Sequence, residues 1–283
     1  MSIMAWVIPF SFACFNGGKI LYGVVALFGI ICVHLGANLF DDVIDYKKFL
    51  KSKEKDTTMN LKKGKCKFFF DGSLKLSTAI LVVVVLFLLA IIVGLLFTCV
   101  YKLPIVMLMA VTGLLCLVYP ISGYLGLSEI IIGAIYSPLL FTGVYYVMTG
   151  TLSSKLEWLS LSFALVTITL LYTDFFFDYN TDKQAGKKTI PVLSGSKQKA
   201  YHFYIFIIFL IFANLFFGIH SHIFEMRYCL IFLSIVPALK TVGNLQYYID
   251  KEIKDEKDFM SVMNDTQKFI AIFAGLCVVV FAF

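Results

Sequence analysis

An all-α, multi-spanning membrane fold is predicted by three features of this 283-residue chain. Hydrophobic residues make up 60% and the mean hydropathy is +0.88. Charged residues make up only 15%, against about 25% in ordinary soluble domains. The apolar residues gather into windows close to the roughly 20 residues that a helix needs to cross a bilayer, and lysine-rich segments separate several of them.

In chain order the windows fall at about 2–15, 19–40, 77–100, 103–121, 129–149, 156–177, 200–219, 226–246 and 266–283, giving nine candidate helices in one transmembrane domain over 1–283. The first is too short to span comfortably. It lacks the basic segment and small-residue cleavage site of a signal peptide, so it reads as a retained, truncated first helix.

Basic residues accumulate in loops that stay in the cytoplasm. With the N-terminus inside, nineteen of the 24 basic residues fall on inner segments: Lys47 to Lys75, Lys183 to Lys199 and Lys251 to Lys268. Lys19, Lys102, Lys155 and Arg227 fall outside, and Lys240 is left alone within the eighth helix. The net charge of +6 therefore reflects orientation and attraction to an anionic lipid surface, with no need for nucleic acid and no obligatory protein partner. These features imply an integral membrane protein, and the expected location is a bacterial cytoplasmic membrane. The seven cysteines are scattered without a C-x-x-C pair, which argues against a disulfide framework or a zinc site. The four histidines likewise form no ligand set; His34, four residues before Asn38, is a minor candidate for supporting a site.

Two acidic clusters carry the chemistry. Asp41, Asp42 and Asp45 follow the second window, and Asp174, Asp178 and Asp182 straddle the end of the sixth. Each reads Asp-x-x-x-Asp-Tyr, so carboxylates four apart project from one helix face. Acids at helix ends commonly mark no more than arrival at water, but two matching clusters four helices apart suggest a duplicated four-helix unit, as in parallel repeats. Carboxylates at a helix C-terminus also oppose the macrodipole, and at membrane depth each costs roughly 2.5–3.5 kcal/mol. Magnesium, which takes one or two carboxylates together with phosphate oxygens, would offset that cost. The second cluster runs into Lys183-Gln-Ala-Gly-Lys-Lys-Thr-Ile-Pro-Val-Leu-Ser-Gly195, where Lys187 and Lys188 would bring positive charge to phosphate. A looser analogue, Lys62 to Lys67, precedes Asp71. The chain thus looks built to hold a diphosphate at a membrane surface.

At these residues the chain resembles the UbiA superfamily of intramembrane prenyltransferases. Motif one is Asn38-Leu-Phe-Asp-Asp-Val-Ile-Asp-Tyr-Lys-Lys48, and motif two runs from Asp174 to Gly195. A third stretch, from Tyr119-Pro120 through Tyr124-Leu-Gly-Leu-Ser-Glu129 to Tyr145-Tyr-Val-Met-Thr-Gly150, resembles the 1,4-dihydroxy-2-naphthoate prenyltransferase branch of menaquinone synthesis. Asp41 stands where that branch usually has Asn. The resemblance implies a UbiA-like bundle of about nine helices in two parallel-repeat units, with the active site at the cytoplasmic face. It implies Mg2+ held by Asp41, Asp42, Asp45, Asp174, Asp178 and Asp182, acting on a prenyl diphosphate, with Asn38, Lys187 and Lys188 on the substrate. The acceptor would be aromatic, and the product demethylmenaquinone, with loss of CO2 and pyrophosphate. Tyr119, Tyr124 and Tyr145 are weaker candidates for an aromatic wall around the allylic cation. The resemblance leaves open other acceptors: 4-hydroxybenzoate, haem, a chlorophyll precursor or a glycerol-phosphate lipid. A secondary transporter is the remote alternative, since it too would place paired acids on symmetric helices.

Overall fold

The computed structural model describes residues 1–51, 66–251 and 256–282, and all regular structure among them is helical. Its helices are α1 (Ser2–Phe15), α2 (Ile20–Lys51), α3 (Lys67–Phe70), α4 (Leu76–Tyr101), α5 (Leu103–Leu125), α6 (Ser128–Thr149), α7 (Ser154–Phe177), α8 (Tyr179–Gln184), α9 (Ile190–Leu193), α10 (Lys197–His220), α11 (Met226–Tyr247) and α12 (Glu256–Ala282). Eight of these are long and apolar enough to cross a membrane, and α1 is the short apolar helix. The expectation for the first two thirds of Lys62-Lys-Gly-Lys-Cys-Lys67 falls outside the described residues.

Two helices depart from their predicted windows. Helix α2 continues to Lys51 instead of stopping near residue 40, because nothing in 41–51 breaks it. The segment contains neither Gly nor Pro, Asp45 and Lys48 sit three apart on one face, and Val43 and Phe49 stay buried. Helix α12 begins ten residues before its apolar window, at Glu256, since a polar amphipathic turn leads into it.

The chain divides into two compact units, one formed by Met1–Gly23 with Ser122–Phe283 and the other by Val24–Ile121. In the Val24–Ile121 unit, α2 meets α4 along a small-residue face. A Cβ at Gly29 would lie 3.0 Å from Val93 Cγ1, and one at Gly36 would lie 3.3 Å from Leu86 and Phe87. Such close backbone approach supplies van der Waals contact where lipid offers no hydrophobic drive. Val43, Cys66, Phe69 and Ala79 form a buried cluster at the motif-one end of this unit, flanked by Tyr46, Phe68 and Phe70.

In the other unit α7 is central, packing against α6, α10 and α12. Its buried Phe163 lies 5.5 Å from Phe141 and 6.1 Å from Phe273 between ring centroids. Several side-chain polar groups of this unit pair with backbone or side chains of neighbouring helices, as a bilayer favours. Trp158 Nε1 donates to the Asn214 carbonyl (3.1 Å), Tyr172 OH to that of Ala200 (2.8 Å) and Tyr204 OH to Thr241 Oγ1 (2.8 Å). Helix α6 contains a π-turn at Ile135–Leu139 that includes Pro138, a residue with no amide to donate to the helical ladder. Thr142 Oγ1 caps the Pro138 carbonyl at 2.6 Å. Lys240 is not alone: its ammonium lies 2.9 Å from Asp265 Oδ1, which Lys268 also approaches at 3.5 Å, while Asn244 donates to Oδ2. The partner comes from α12, so neighbours on α11 could not reveal it.

The α7 start is tied to the loop after α10 by Lys155, whose Nζ lies 2.5 Å from Glu225 Oε1. That donation holds the Glu225 carboxyl below the usual carboxylate range. A depressed folded pKa stabilises above the unfolded value and loses that contribution as pH falls through the folded one. The pair is well exposed, so Lys155→Ala is expected to cost no more than about 1 kcal/mol near neutral pH. Thermal midpoints measured from neutral pH into acid should show the wild-type and variant curves converging.

Candidate active site

The motif-one acids lie within a helix, more than a turn before Lys51, so their opposition to a helix C-terminus is weaker than the apolar window implies. Asn38, Asp41, Asp42 and Asp45 recur at i, i+3, i+4 and i+7, which makes them one stripe of α2. The three acids are half-buried and Asn38 is exposed. One turn earlier on the same stripe, His34 Nε2 lies 3.4 Å from Asn38 Nδ2. Cys66 Sγ approaches the Asp42 carbonyl at 3.5 Å and Oδ1 at 3.9 Å. This cysteine, which the sequence marks only as a packing residue, is thus a neighbour of the motif. Tyr46 stacks on Phe69 with centroids 4.8 Å apart, and Lys48 Nζ donates to the Pro120 carbonyl at 3.4 Å. The half-buried Tyr119 belongs to this same unit.

Motif two sits at a true helix end. Asp174 lies in the last turn of α7, Asp178 joins α7 to α8, and Asp182 lies within α8. Backbone hydrogen bonds from Asp178 N to Asp174 O (3.0 Å) and from Asp182 N to Asp178 O (2.8 Å) carry the four-residue spacing across the junction. Asp178 is exposed, Asp174 half-buried, and Asp182 almost fully buried. Asp182 Oδ1 meets Lys187 Nζ at 2.7 Å, and Asp182 O accepts from Lys187 N at 2.9 Å. The reversal between them turns on Gly186 at φ +72, a left-handed conformation that costs glycine little. The acid and the lysine assigned separately by the sequence are therefore one ion pair.

The lysine loop is held from its other side. Lys188 N donates to Gly123 O at 2.7 Å and Ile190 N to Glu129 Oε1 at 2.7 Å. Ser122 and Ser128 share a 2.8 Å hydrogen bond that closes the α5–α6 turn. The sequence alone assigns no role to Ser128 and Glu129. The available signal was a single acid opening an otherwise apolar window. The exposed Tyr124 belongs to this turn. Tyr145 does not: it is buried near the far end of α6, 5.6 Å from the ring of Phe12. Sixteen residues separate it from Glu129, about 24 Å along a helix, so its place is in the α1–α6 packing and not beside motif two.

Among the described residues no three His, Cys, Asp or Glu side chains converge into a ready-made metal cage. The donor chemistry nonetheless fits magnesium, since hard carboxylate oxygens in ones and twos, completed by phosphate oxygens and water, are its usual surroundings.

The sequence profile of the UbiA prenyltransferase family matches residues 3–264. No curated protein matches the chain. Among solved structures, one reported for digeranylgeranylglyceryl phosphate synthase is similar with a TM-score of 0.65 at 15% identity, covering 98% of this chain and 92% of its own. A UbiA homologue from Aeropyrum pernix K1 is similar with a TM-score of 0.61 at 13% identity, covering 99% and 95%. A UbiA homologue from Archaeoglobus fulgidus bound to DMAPP and Mg2+ is similar with a TM-score of 0.62 at 13% identity, covering 98% and 96%. With a family profile that spans nearly its whole length, an all-helical membrane fold and solved neighbours of the same architecture, the chain belongs to the UbiA prenyltransferase family.

Proposed function

We propose that this prenyltransferase moves an isoprenyl chain from a prenyl diphosphate to an aromatic acceptor, with 1,4-dihydroxy-2-naphthoate as the acceptor and a demethylmenaquinone-type product. The reading rests most on motif two, where a stripe of three acids continues directly into a lysine loop braced on both sides. A similar fold has been solved with DMAPP and Mg2+, which supports a magnesium–diphosphate donor. Asp41, Asp42, Asp45, Asp174, Asp178 and Asp182 would hold the metal. Bound magnesium would neutralise charge on the departing pyrophosphate.

The chain's own groups do the remaining work. Lys187 and Lys188 place point charges at phosphate oxygens, and Asn38 offers an amide donor on the motif-one stripe. Breaking the bond between the allylic carbon and the diphosphate oxygen leaves a cation, which the electron-rich ring attacks at its carboxyl-bearing carbon, releasing CO2. Tyr119 and Tyr124 are the aromatic faces proposed to shield that cation. The isoprenoid tail would leave through an apolar opening into lipid. The lysine asymmetry supports an inside N-terminus and an active site at the cytoplasmic face, and a bacterial cytoplasmic membrane is the proposed location.

A glycerol-phosphate lipid acceptor is the second reading, favoured by the similarity to digeranylgeranylglyceryl phosphate synthase. The deciding assay uses purified protein in detergent with magnesium, geranylgeranyl or longer prenyl diphosphates, and an acceptor panel. A magnesium-dependent, decarboxylated prenyl-naphthalenediol is the expected product. Pyrophosphate release with another acceptor alone would move the assignment to that acceptor. Absence of release from folded protein with every acceptor would overturn the reading.

A further inference from the structure

Glu129 is fully buried in the first turn of a membrane-spanning helix, and the chemistry proposed above does not use it. A fully buried carboxylate is expensive unless it serves a purpose, although the positive end of the α6 dipole eases the cost at this position. One oxygen, Oε1, accepts the Ile190 amide at 2.7 Å. The other, Oε2, is buried without a hydrogen-bond partner among the described residues. Since one acceptor oxygen would satisfy the amide, the contact that accounts for Glu129 is its grip on the segment after Lys188.

That grip is part of a wider brace. The amides of Lys188 and Ile190, two residues apart, both donate to the α5–α6 turn, whereas the preceding amide of the loop, from Lys187, runs back to Asp182 O. Gly126 adopts φ +75, and a Cβ there would lie 3.3 Å from the Lys188 carbonyl oxygen and 3.4 Å from Leu193 Cδ1. A Cβ at Gly123 would lie 3.6 Å from Lys187 Cδ. The turn therefore touches both lysines and α9 at Leu193, and leaves little room for the loop to shift. The Glu129 contact joins residues 61 apart at the point where the loop enters α9, so losing it frees the loop at the end that its Asp182 contacts do not reach.

We propose that Glu129 is a positioning residue for the donor diphosphate: it fixes the 186–190 loop so that the Lys187 and Lys188 ammonium groups stand where phosphate oxygens bind. This rests on the prenyl-diphosphate reading given above. Glu129 acts through the loop and touches neither substrate nor metal. Its effect is therefore confined to the donor, and an acceptor oxygen is all that the loop requires of it.

The test compares Glu129→Gln and Glu129→Ala in purified protein. Backbone amide exchange at 186–190 is read first. Protection should be lost in Glu129→Ala and kept in Glu129→Gln, which retains an acceptor oxygen. Binding of magnesium pyrophosphate, measured by calorimetry, should weaken about tenfold in Glu129→Ala and no more than about threefold in Glu129→Gln, the scale expected when a binding group is displaced without being removed. KM for the prenyl diphosphate should rise in parallel while KM for the acceptor stays unchanged. In a Lys187→Ala background, Glu129→Ala should add little, because both act on the same contact. Unchanged exchange at 186–190 in Glu129→Ala, equal losses for donor and acceptor, or full additivity with Lys187→Ala would overturn the proposal. If wild-type protein binds no pyrophosphate and transfers no prenyl group, the prenyl-diphosphate reading falls. The exchange result then shows a brace without a diphosphate to serve, which also overturns the positioning role.

Discussion

Asp178→Asn is expected to reduce prenyl transfer by about 10³-fold or more, equivalent to roughly 4 kcal/mol of transition-state stabilisation, while the protein still folds. The side chain is exposed at the α7–α8 junction, so the isosteric amide costs little in packing. The backbone contacts that shape the junction, from Asp178 N to Asp174 O and from Asp182 N and Thr181 Oγ1 to Asp178 O, do not involve the carboxylate. What the substitution removes is a negative charge in the middle of the Asp174–Asp178–Asp182 stripe. Magnesium binds ionised oxygens far better than amides, and its contribution to the leaving group amounts to several kcal/mol. Pyrophosphate release, titrated against magnesium and measured alongside the thermal midpoint, separates the two effects. A folded Asp178→Asn protein with wild-type turnover would remove motif two from catalysis and, with it, the assignment of the second metal-binding stripe.

Much of the fold was legible because membrane helices satisfy their backbone internally and declare themselves by length and hydropathy. The windows at 77–100, 156–177 and 226–246 match Leu76–Tyr101, Ser154–Phe177 and Met226–Tyr247 within a few residues. Helix ends that run on into polar sequence were not legible: hydropathy falls at residue 40, whereas the α2 hydrogen-bond ladder continues to Lys51. That difference changes the electrostatics of motif one, whose acids lie inside a helix and not at its negative end. The two acidic stripes were visible because their spacing is local. Contacts between distant segments were hidden for the opposite reason. Neither the Lys240–Asp265 pair nor the Glu129–Ile190 bond leaves a periodic trace, and Tyr145 looked like a site residue only because it shares a stretch of sequence with Tyr124. The Asp182–Lys187 pair lies between these cases: five residues apart, it was near enough to suspect, but opposite charges drew both residues toward separate roles.

Lys187→Met is expected to affect both stability and activity, and a second substitution separates them. Asp182 is almost fully buried and shares a 2.7 Å contact with the Lys187 ammonium, which is itself partly exposed. Removing one partner of a fully buried pair costs about 3–5 kcal/mol, because the other charge stays behind. The partial exposure of Lys187 puts the expected loss at or below the lower end of that range. Diphosphate affinity should also fall by at least about tenfold, the effect of losing roughly 1.4 kcal/mol of charge-assisted contact. In Asp182→Asn/Lys187→Met the buried charge is gone, so the thermal midpoint should recover most of the loss. Donor affinity and turnover should not recover, because a thioether does not replace an ammonium facing phosphate and an amide at 182 is a poorer magnesium ligand than the carboxylate. Recovery of activity along with stability would mean that Lys187 serves only to neutralise Asp182, leaving the exposed Lys188 to meet the diphosphate. Failure of both to recover would mean that the Asp182 charge left behind by Lys187→Met is not the source of the lost stability, since methionine leaves in place the Lys187 amide that closes the loop onto Asp182 O at 2.9 Å. The double variant therefore reads the charge of the pair and not the geometry of the turn.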